Sequence, residues 1–328
     1  MGAKSQEPKR MSSAILVGDV GGTNCRFAFA ELSAQGTIDL HHSERFSVKD
    51  FPDFKTAVRH YLDSQTVKPA QAAFAFAGPK FGDEIKMTNI DWVVSESDLC
   101  NTFGFENVVI QNDFVAMANG ATVVPDDGFE ILMPGKVNYN KPVAVLGPGT
   151  GLGISLIVPG NPLRILPTEG GHVSFSPQDE LEREILFHQL KDMSYLSVEN
   201  LISGPGLLRL YKAICDIRGA DCLCRKPDEI VASAEANPKS IARLAVVTFC
   251  NILGGFAGNA ALTMGASGGV VIGGGVSRHV SPFLNESEFK TRFRNRGDGS
   301  WFVKEIPVRL IKAHFVALYG AAAMVLKK

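Results

Sequence analysis

The chain has 328 residues, with 33 Lys and Arg against 34 Asp and Glu for a net charge of −1, so no basic stripe recommends nucleic acid as a partner. That length accommodates two domains, and 33 glycines suit a turn-rich α/β fold. Six cysteines without regular spacing read as reduced thiols of a cytoplasmic protein rather than as a disulfide framework.

Residues 1–13 are polar, carry Lys4, Lys9 and Arg10, and lack the apolar core of a secretory signal. They read as a disordered extension, with Met11 as a second candidate start. From Ala14 a buried strand runs to Val17, and Arg26 to Ala30 reads as another. Between them lies Gly18-Asp19-Val20-Gly21-Gly22-Thr23-Asn24. Gly21 and Gly22 can take positive φ and expose backbone amides, a nest for phosphate oxygens, with Thr23 and Asn24 adding side-chain hydrogen bonds. A plain hairpin turn carries the same glycine pair. Asp19 separates the two readings, since a carboxylate at the start of the turn suits a hydrated Mg²⁺.

A helix is expected near Phe51 to Leu62, and a strand and turn at Phe74 to Pro79. The apolar run Val108-Val109-Ile110-Gln111 is followed by Asn112-Asp113 and then by the helical pattern Phe114 to Ala118. Asp113 therefore falls at the carboxyl end of a strand, where ligands bind in open α/β sheets and where a carboxylate can take a proton from a hydroxyl. The same pair is a common turn and helix cap. Val123 to Gly128 is linker-like and divides the chain into a first part, 14–122, and a second, 123–312.

A second glycine turn, Gly147-Pro148-Gly149-Thr150-Gly151-Leu152-Gly153, joins the strand Val143 to Leu146 to another at Ile154 to Val158. Leu152 occupies the third glycine position of the dinucleotide fingerprint, no helix follows, and the P-loop pattern is absent. Phosphate chemistry in a β-hairpin, repeated in two similar halves, remains. In Glu169-Gly170-Gly171-His172 a carboxylate and an imidazole can read vicinal hydroxyls, with the glycines admitting a ligand close to the backbone. A hydrogen-bonded turn with a surface Glu has the same pattern. Glu199, near the start of a helical stretch, reads by itself as an acid favoured by the helix dipole.

Leu244 to Ser277 carries no charge and exceeds the length of a membrane span. Asn251, Asn259 and its many glycines favour a buried helix at 241–264, a turn at 265–269 and a strand at 270–272, so no membrane partner is expected. Ala313 to Lys327 is helical, with Leu318, Ala322 and Leu326 on one face. Cys222-Leu223-Cys224 has no histidine close by, so a tetrahedral zinc site is not expected.

Six segments in order resemble the hexokinase, actin and heat-shock chaperone superfamily, and within it the bacterial-type glucokinases. They are Gly18 to Asn24, Asn112-Asp113-Phe114, Gly149 to Gly153, Glu169 to His172, Leu201 to Gly206, and Gly273-Gly274-Gly275-Val276. A related repressor and sugar-kinase group carries zinc-binding cysteines beside its Glu-x-x-His motif, whereas the nearest cysteine to His172 here is Cys215. The resemblance implies an α/β fold of two ribonuclease H-like (actin-like ATPase) domains with a cleft between them. The last helix would return to the small domain, giving 14–122 plus 313–328 and leaving 123–312 as the large one.

It also implies ATP-dependent phosphorylation of glucose, with Mg²⁺, by a homodimer. Asn112, Asp113, Glu169, His172, Glu199 and the backbone of Gly149 would contact the hexose, with Asp113 as the catalytic base. Gly18, Asp19, Gly21, Gly22, Thr23, Asn24, Thr150 and Gly151 would hold the phosphates, Asp19 orienting Mg²⁺ through water. Gly274, Gly275 and Val276 would line the adenosine pocket. A similar Asn-x-x-Trp stands near the sugar in the family, but Asp91 and Trp92 read equally as packing and capping residues. The alternatives are a kinase for another hexose or amino sugar, or a sugar-responsive binding protein without catalysis. The latter would add a helix-turn-helix ahead of the first glycine motif.

Overall fold

The computed structural model describes residues 14–88 and 90–327, so the extension expected at 1–13 and the side chain of Asn89 lie outside the described residues. The chain forms two compact units, one running to Val124 and resuming at His314, the other spanning Pro125–Ala313.

The first unit opens with β1 (Ile15–Val20), β2 (Asn24–Leu32) and β3 (Ile38–Ser47), then α1 (Phe54–Asp63) and β4 (Gln71–Phe76). A small meander follows, β5 (Lys80–Phe81), β6 (Glu84–Lys86) and β7 (Val93–Ser95), then α2 (Glu96–Phe103), β8 (Asn107–Asn112) and α3 (Asp113–Ala121). The second unit holds β9 (Phe129–Met133), β10 (Val143–Pro148), β11 (Leu152–Val158) and β12 (Arg164–Thr168). Its helices α4 (Glu180–Gln189), α5 (Gly204–Arg218), α6 (Pro227–Ala236) and α7 (Ile241–Thr263) come next. It ends with β13 (Gly269–Ile272), α8 (Gly275–Val280), α9 (Phe289–Arg294), α10 (Ser300–Val303) and β14 (Val308–Ile311). The chain returns to the first unit with α11 (Val316–Leu326).

The sheet of the first unit is ordered β3-β2-β1-β4-β8, that of the second β12-β11-β10-β13-β14 with β9 added at the edge. In both, the first three strands are antiparallel neighbours and the next two are parallel to the first. The two halves therefore share one topology, and each glycine turn joins the first two strands of its half.

Alternation along β1 feeds two cores. Leu16 faces the aromatic side, where Phe27, Phe54, Phe74 and Phe76 pack together, while Ile15 and Val17 face Leu318, Ala321 and Ala322 of α11. Asp53 caps α1 by accepting from the Thr56 amide at 2.7 Å, so that helix begins at Phe54 rather than at Phe51. Phe315 takes a left-handed φ of 62°, so the last helix begins at Val316 rather than at Ala313. In the second unit α7 is buried along most of its length, and 78% of its most apolar window is covered by protein. Its glycines are spaces for neighbours. A Cβ on Gly254 would lie 2.4 Å from the Phe289 carbonyl oxygen and one on Gly258 would lie 2.5 Å from that of Phe293.

Helices α3 and α11 touch backbone to backbone, since a Cβ on Gly320 would lie 1.7 Å from the Ala116 oxygen. Alanine is the better helix former by about 1 kcal/mol, yet overpacking of this kind costs about 1–3 kcal/mol or more. Gly320→Ala should therefore lower the melting temperature measured by calorimetry. An unchanged or raised value would mean that the two helices separate without cost.

Candidate active site

The first unit supplies two carboxylates. Asp19 stands one residue before the end of β1, and Asp113 directly follows β8, with β4 between the two strands in parallel register. Asp113 is half-buried, and burial, helped by the negative charge of Asp19, pushes its carboxyl up to about 7. Amide donation from Phe114 opposes that rise. Burial also raises Asp19, against the pull of Arg26. Arg26, opposite Asp19 on β2, lies over the Phe315 ring at 4.5 Å from its centroid. Arg26 thus makes a cation–π contact there.

Asn112 is the N-cap of α3. Its Oδ1 accepts from the Phe114 amide at 2.9 Å and its Nδ2 donates to the Gly78 carbonyl at 3.1 Å. Asp113 Oδ1 accepts from the same amide at 2.9 Å, and Oδ2 has no partner among the described residues. The cap and the carboxylate at a strand end are therefore one arrangement.

In the first glycine turn the Gly21 amide donates to the Asn24 carbonyl at 2.9 Å, and the Thr23 carbonyl accepts from Val48. The amides of Gly22 and Thr23 have no partner among the described residues, and Thr23 is exposed. The expectation of positive φ at Gly21 and Gly22 is corrected: neither is among the residues with left-handed φ, because the turn closes without it. Gly18 lies inside β1, where a Cβ would come within 2.6 Å of the Phe74 ring. Core packing explains that glycine.

The second unit repeats the turn. The Gly149 amide donates to the Gly151 carbonyl at 2.7 Å, and the Gly149 carbonyl accepts from Gly204 at the start of α5 at 2.8 Å. The Gly149 backbone, expected to meet the hexose, thus has both its amide and its carbonyl engaged within the chain. The amides of Thr150 and Gly151 have no partner among the described residues, matching Gly22 and Thr23. Gly274 has φ of 86° and would drive a Cβ to 2.3 Å from the Pro148 carbonyl, so the chain itself requires glycine there. Gly275 faces open space.

Glu169, His172 and Glu199 converge in the same unit. The imidazole Nε2 is 3.8 Å from Glu169 Oε2, and Nδ1 is 4.0 Å from Glu199 Oε1. Glu169 is 87% exposed and His172 60%, against 28% for Glu199. Glu199 Oε2 accepts from the Leu152 amide at 2.7 Å, which ties it to the glycine turn. It lies in the bend before α5, whose cap is Ser203, so the reading as a first-turn helix acid is corrected. Gly171 admits the chain rather than a ligand, since a Cβ would come within 2.3 Å of the Leu152 carbonyl.

Tyr195, which the sequence did not mark, donates to the His172 carbonyl at 2.8 Å. No local pattern links residues so far apart. Trp92 is a packing residue, 7% exposed, with its indole N–H on the Pro52 carbonyl. Among the described residues no group of three or more His, Cys, Asp or Glu is placed to hold a metal ion.

A family model described as Glucokinase matches residues 16–328. A glucokinase of Saccharophagus degradans is 36% identical over 310 residues, covering 94% of this chain and 97% of that protein. The crystal structure of a glucokinase from an Antarctic psychrotroph superposes with a TM-score of 0.87 at 33% identity, covering 96% and 99% of the two chains. A glucokinase from Streptomyces griseus, solved with glucose and AMPPNP, shares the fold with a TM-score of 0.68 at 18% identity, over 96% and 100%.

Because the folded Asp113 carboxyl is the weaker acid, its ionisation opposes folding. Nothing is lost below the unfolded pKa near ~4, and the loss grows as pH climbs through about 7. Asp113→Asn escapes that loss. The unliganded variant should melt with wild type at about pH 4 and above it at about pH 8. A gap independent of pH would show that Asp113 ionises freely.

Proposed function

The chain belongs to the glucokinase family, and from that premise we propose that it transfers the γ-phosphoryl group of ATP to the 6-hydroxyl of glucose. The observation that carries this reading is Asp113, a half-buried carboxylate at a strand end with an acidity near neutral and one free oxygen. In the reaction the sugar O6 forms a bond to the γ-phosphorus as the bond to the ADP oxygen breaks, and the O6 proton passes to Asp113 Oδ2. A general base works best when its pKa lies close to the working pH, which is where burial and Asp19 hold Asp113.

The free amides of Gly22 and Thr23, and those of Thr150 and Gly151, hold phosphate oxygens from the two halves. Asp19 would hold Mg²⁺ through water, since a lone carboxylate suits a small cation that keeps most of its hydration. Such an ion would supply positive charge against that developing on the phosphate oxygens. Asn112, Glu169, His172 and Glu199 orient the hexose hydroxyls, and Gly274 and Gly275 leave room for adenosine.

The two similar halves act as ribonuclease H-like domains, 14–122 with 313–328 and 123–312, that share one substrate in a cleft and exclude water from the transfer. The six free cysteines suit work in the cytoplasm, and family resemblance favours a homodimer.

The test is ADP release across a panel of hexoses. Glucose should give the highest kcat/KM, and Asp113→Asn should lose about 10²–10⁴ in kcat while keeping glucose affinity within a few-fold. A variant within tenfold of wild type would remove Asp113 from the role of base. A faster sugar in the panel would move the substrate and leave the kinase reading standing.

Thr150→Val keeps the shape of an exposed residue beside the two free amides but removes its hydroxyl. The KM for ATP should rise while that for glucose stays near wild type. A change confined to the glucose KM would place this turn against the sugar.

A further inference from the structure

The sheet face that α11 covers ends in charge. Ile15 and Val17 of β1 and Ala28 and Ala30 of β2 pack in one core with that helix. Alternation puts Asp19 and its cross-strand partner Arg26 next on the same face. Phe315, the residue from which α11 starts, brings its ring under the Arg26 guanidinium, 4.5 Å from the centroid.

Local forces do not select phenylalanine at that position. Its φ of 62° is one that glycine adopts freely and a residue with a Cβ rarely takes. It supplies no side-chain cap, where Ser, Asp or Asn would. Core packing does not require it either, because it is 37% exposed. Such a conformation persists only where the surroundings impose it. Helix α11 imposes it from one side, fixed to α3 where Gly320 meets Ala116 and where the Val316 carbonyl would lie 2.2 Å from a Cβ on Gly120. The partner that accounts for the ring is Arg26.

Arg26 is half-buried, and among the described residues it has neither a hydrogen bond nor a salt bridge. Asp19 opposite feels its charge without a hydrogen bond to it. A guanidinium held by the face of a ring keeps its N–H donors for another group. The turn just before Arg26 carries the unpartnered amides of Gly22 and Thr23. Donors without acceptors are thus gathered at one end of the β1–β2 hairpin.

We propose that Phe315 is a positioning residue for the phosphate site of the first unit. Its ring, set by the left-handed backbone, holds the Arg26 guanidinium beside the Gly21–Asn24 turn, where it donates to a phosphate oxygen together with the amides of Gly22 and Thr23. The phosphate part rests on the glucokinase reading of that turn, whereas the hold of Phe315 on Arg26 does not.

The Arg26 Nε–H signal of the full chain reads both parts by NMR. In wild type the ring current should move it away from the position of an unstacked arginine, and inorganic triphosphate should shift it saturably. Phe315→Leu stays apolar but offers no ring face. The signal should return to the unstacked position, and the Kd for triphosphate should rise roughly 3–10-fold, the scale of a lost cation–π contact. Phe315→Gly frees the backbone as well as removing the ring, so it should show the same loss. Phe315→Tyr should restore both readouts, with melting curves confirming that each variant is folded. In the leucine variant the KM for ATP should rise by a similar factor while that for glucose stays near wild type.

An Arg26 signal that Phe315→Leu leaves in place overturns the hold, as does a tyrosine variant that behaves like leucine. A signal that moves while triphosphate affinity stays unchanged, or a wild type whose Arg26 ignores triphosphate, overturns the role in phosphate binding. Full affinity in Phe315→Gly would make the backbone, not the ring, the positioning element. A chain that binds triphosphate at Arg26 but phosphorylates no hexose would sink the glucokinase reading and leave the phosphate site standing.

Discussion

Two carboxylates held close together and half out of water are the constraint around which the first unit is organised. Asp19 and Asp113 sit at the carboxyl ends of parallel strands separated by β4, burial raises the cost of ionising both, and the charge of Asp19 adds to the cost for Asp113. Asp113 accordingly stays protonated up to about pH 7. The surroundings meet that cost only in part. Arg26 offsets Asp19 from the opposing strand and is itself held against Phe315, while the first turn of α3 offers its amides to Asp113. The result is a weak acid rather than a stable ion, which is poor for folding and useful for accepting a proton.

The repeated topology explains why two separate stretches of glycine matter. In each half the turn between the first two strands closes with one backbone hydrogen bond and leaves two successive amides without partners among the described residues. Unsatisfied donors on a rigid strand–turn–strand are a ready receptor for anionic oxygen. The glycines around them have different causes. Gly18 makes way for Phe74, Gly171 for the Leu152 carbonyl and Gly274 for that of Pro148. Gly149 and Gly275 meet open space without a left-handed φ, so no contact within the described residues accounts for their missing side chains.

What the sequence disclosed was local. The glycine turn before β2, the strand that delivers Asp113 and the uncharged helix α7 followed by β13 all lie within a few residues of where pattern and propensity put them. What it hid was set from a distance. Glu199 reads as a helix acid until Leu152 is seen to claim its carboxylate, and nothing near Tyr195 says that it steadies His172. The left-handed φ of Phe315 is equally invisible, because an aromatic residue rarely takes it unless surrounding contacts impose it. Tertiary geometry also decided which glycines turn the chain and which merely vacate space.

Asn112 and Asp113 show why a helix cap and a half-buried, positioned carboxylate need not compete. The cap fixes the first turn of α3 to the end of β8, and Gly78 pins the cap itself through the amide nitrogen of Asn112. With the helix start immobile, the Phe114 amide binds one oxygen of Asp113 and thereby orients the other. A free carboxylate on a mobile turn would rotate and be solvated, and its acidity would relax toward that of an ordinary aspartate. The hydrogen bond that lowers the pKa a little is thus also what keeps the group where burial can raise it more. Structural capping is the means by which this strand end holds a carboxylate in place with its acidity shifted toward neutral.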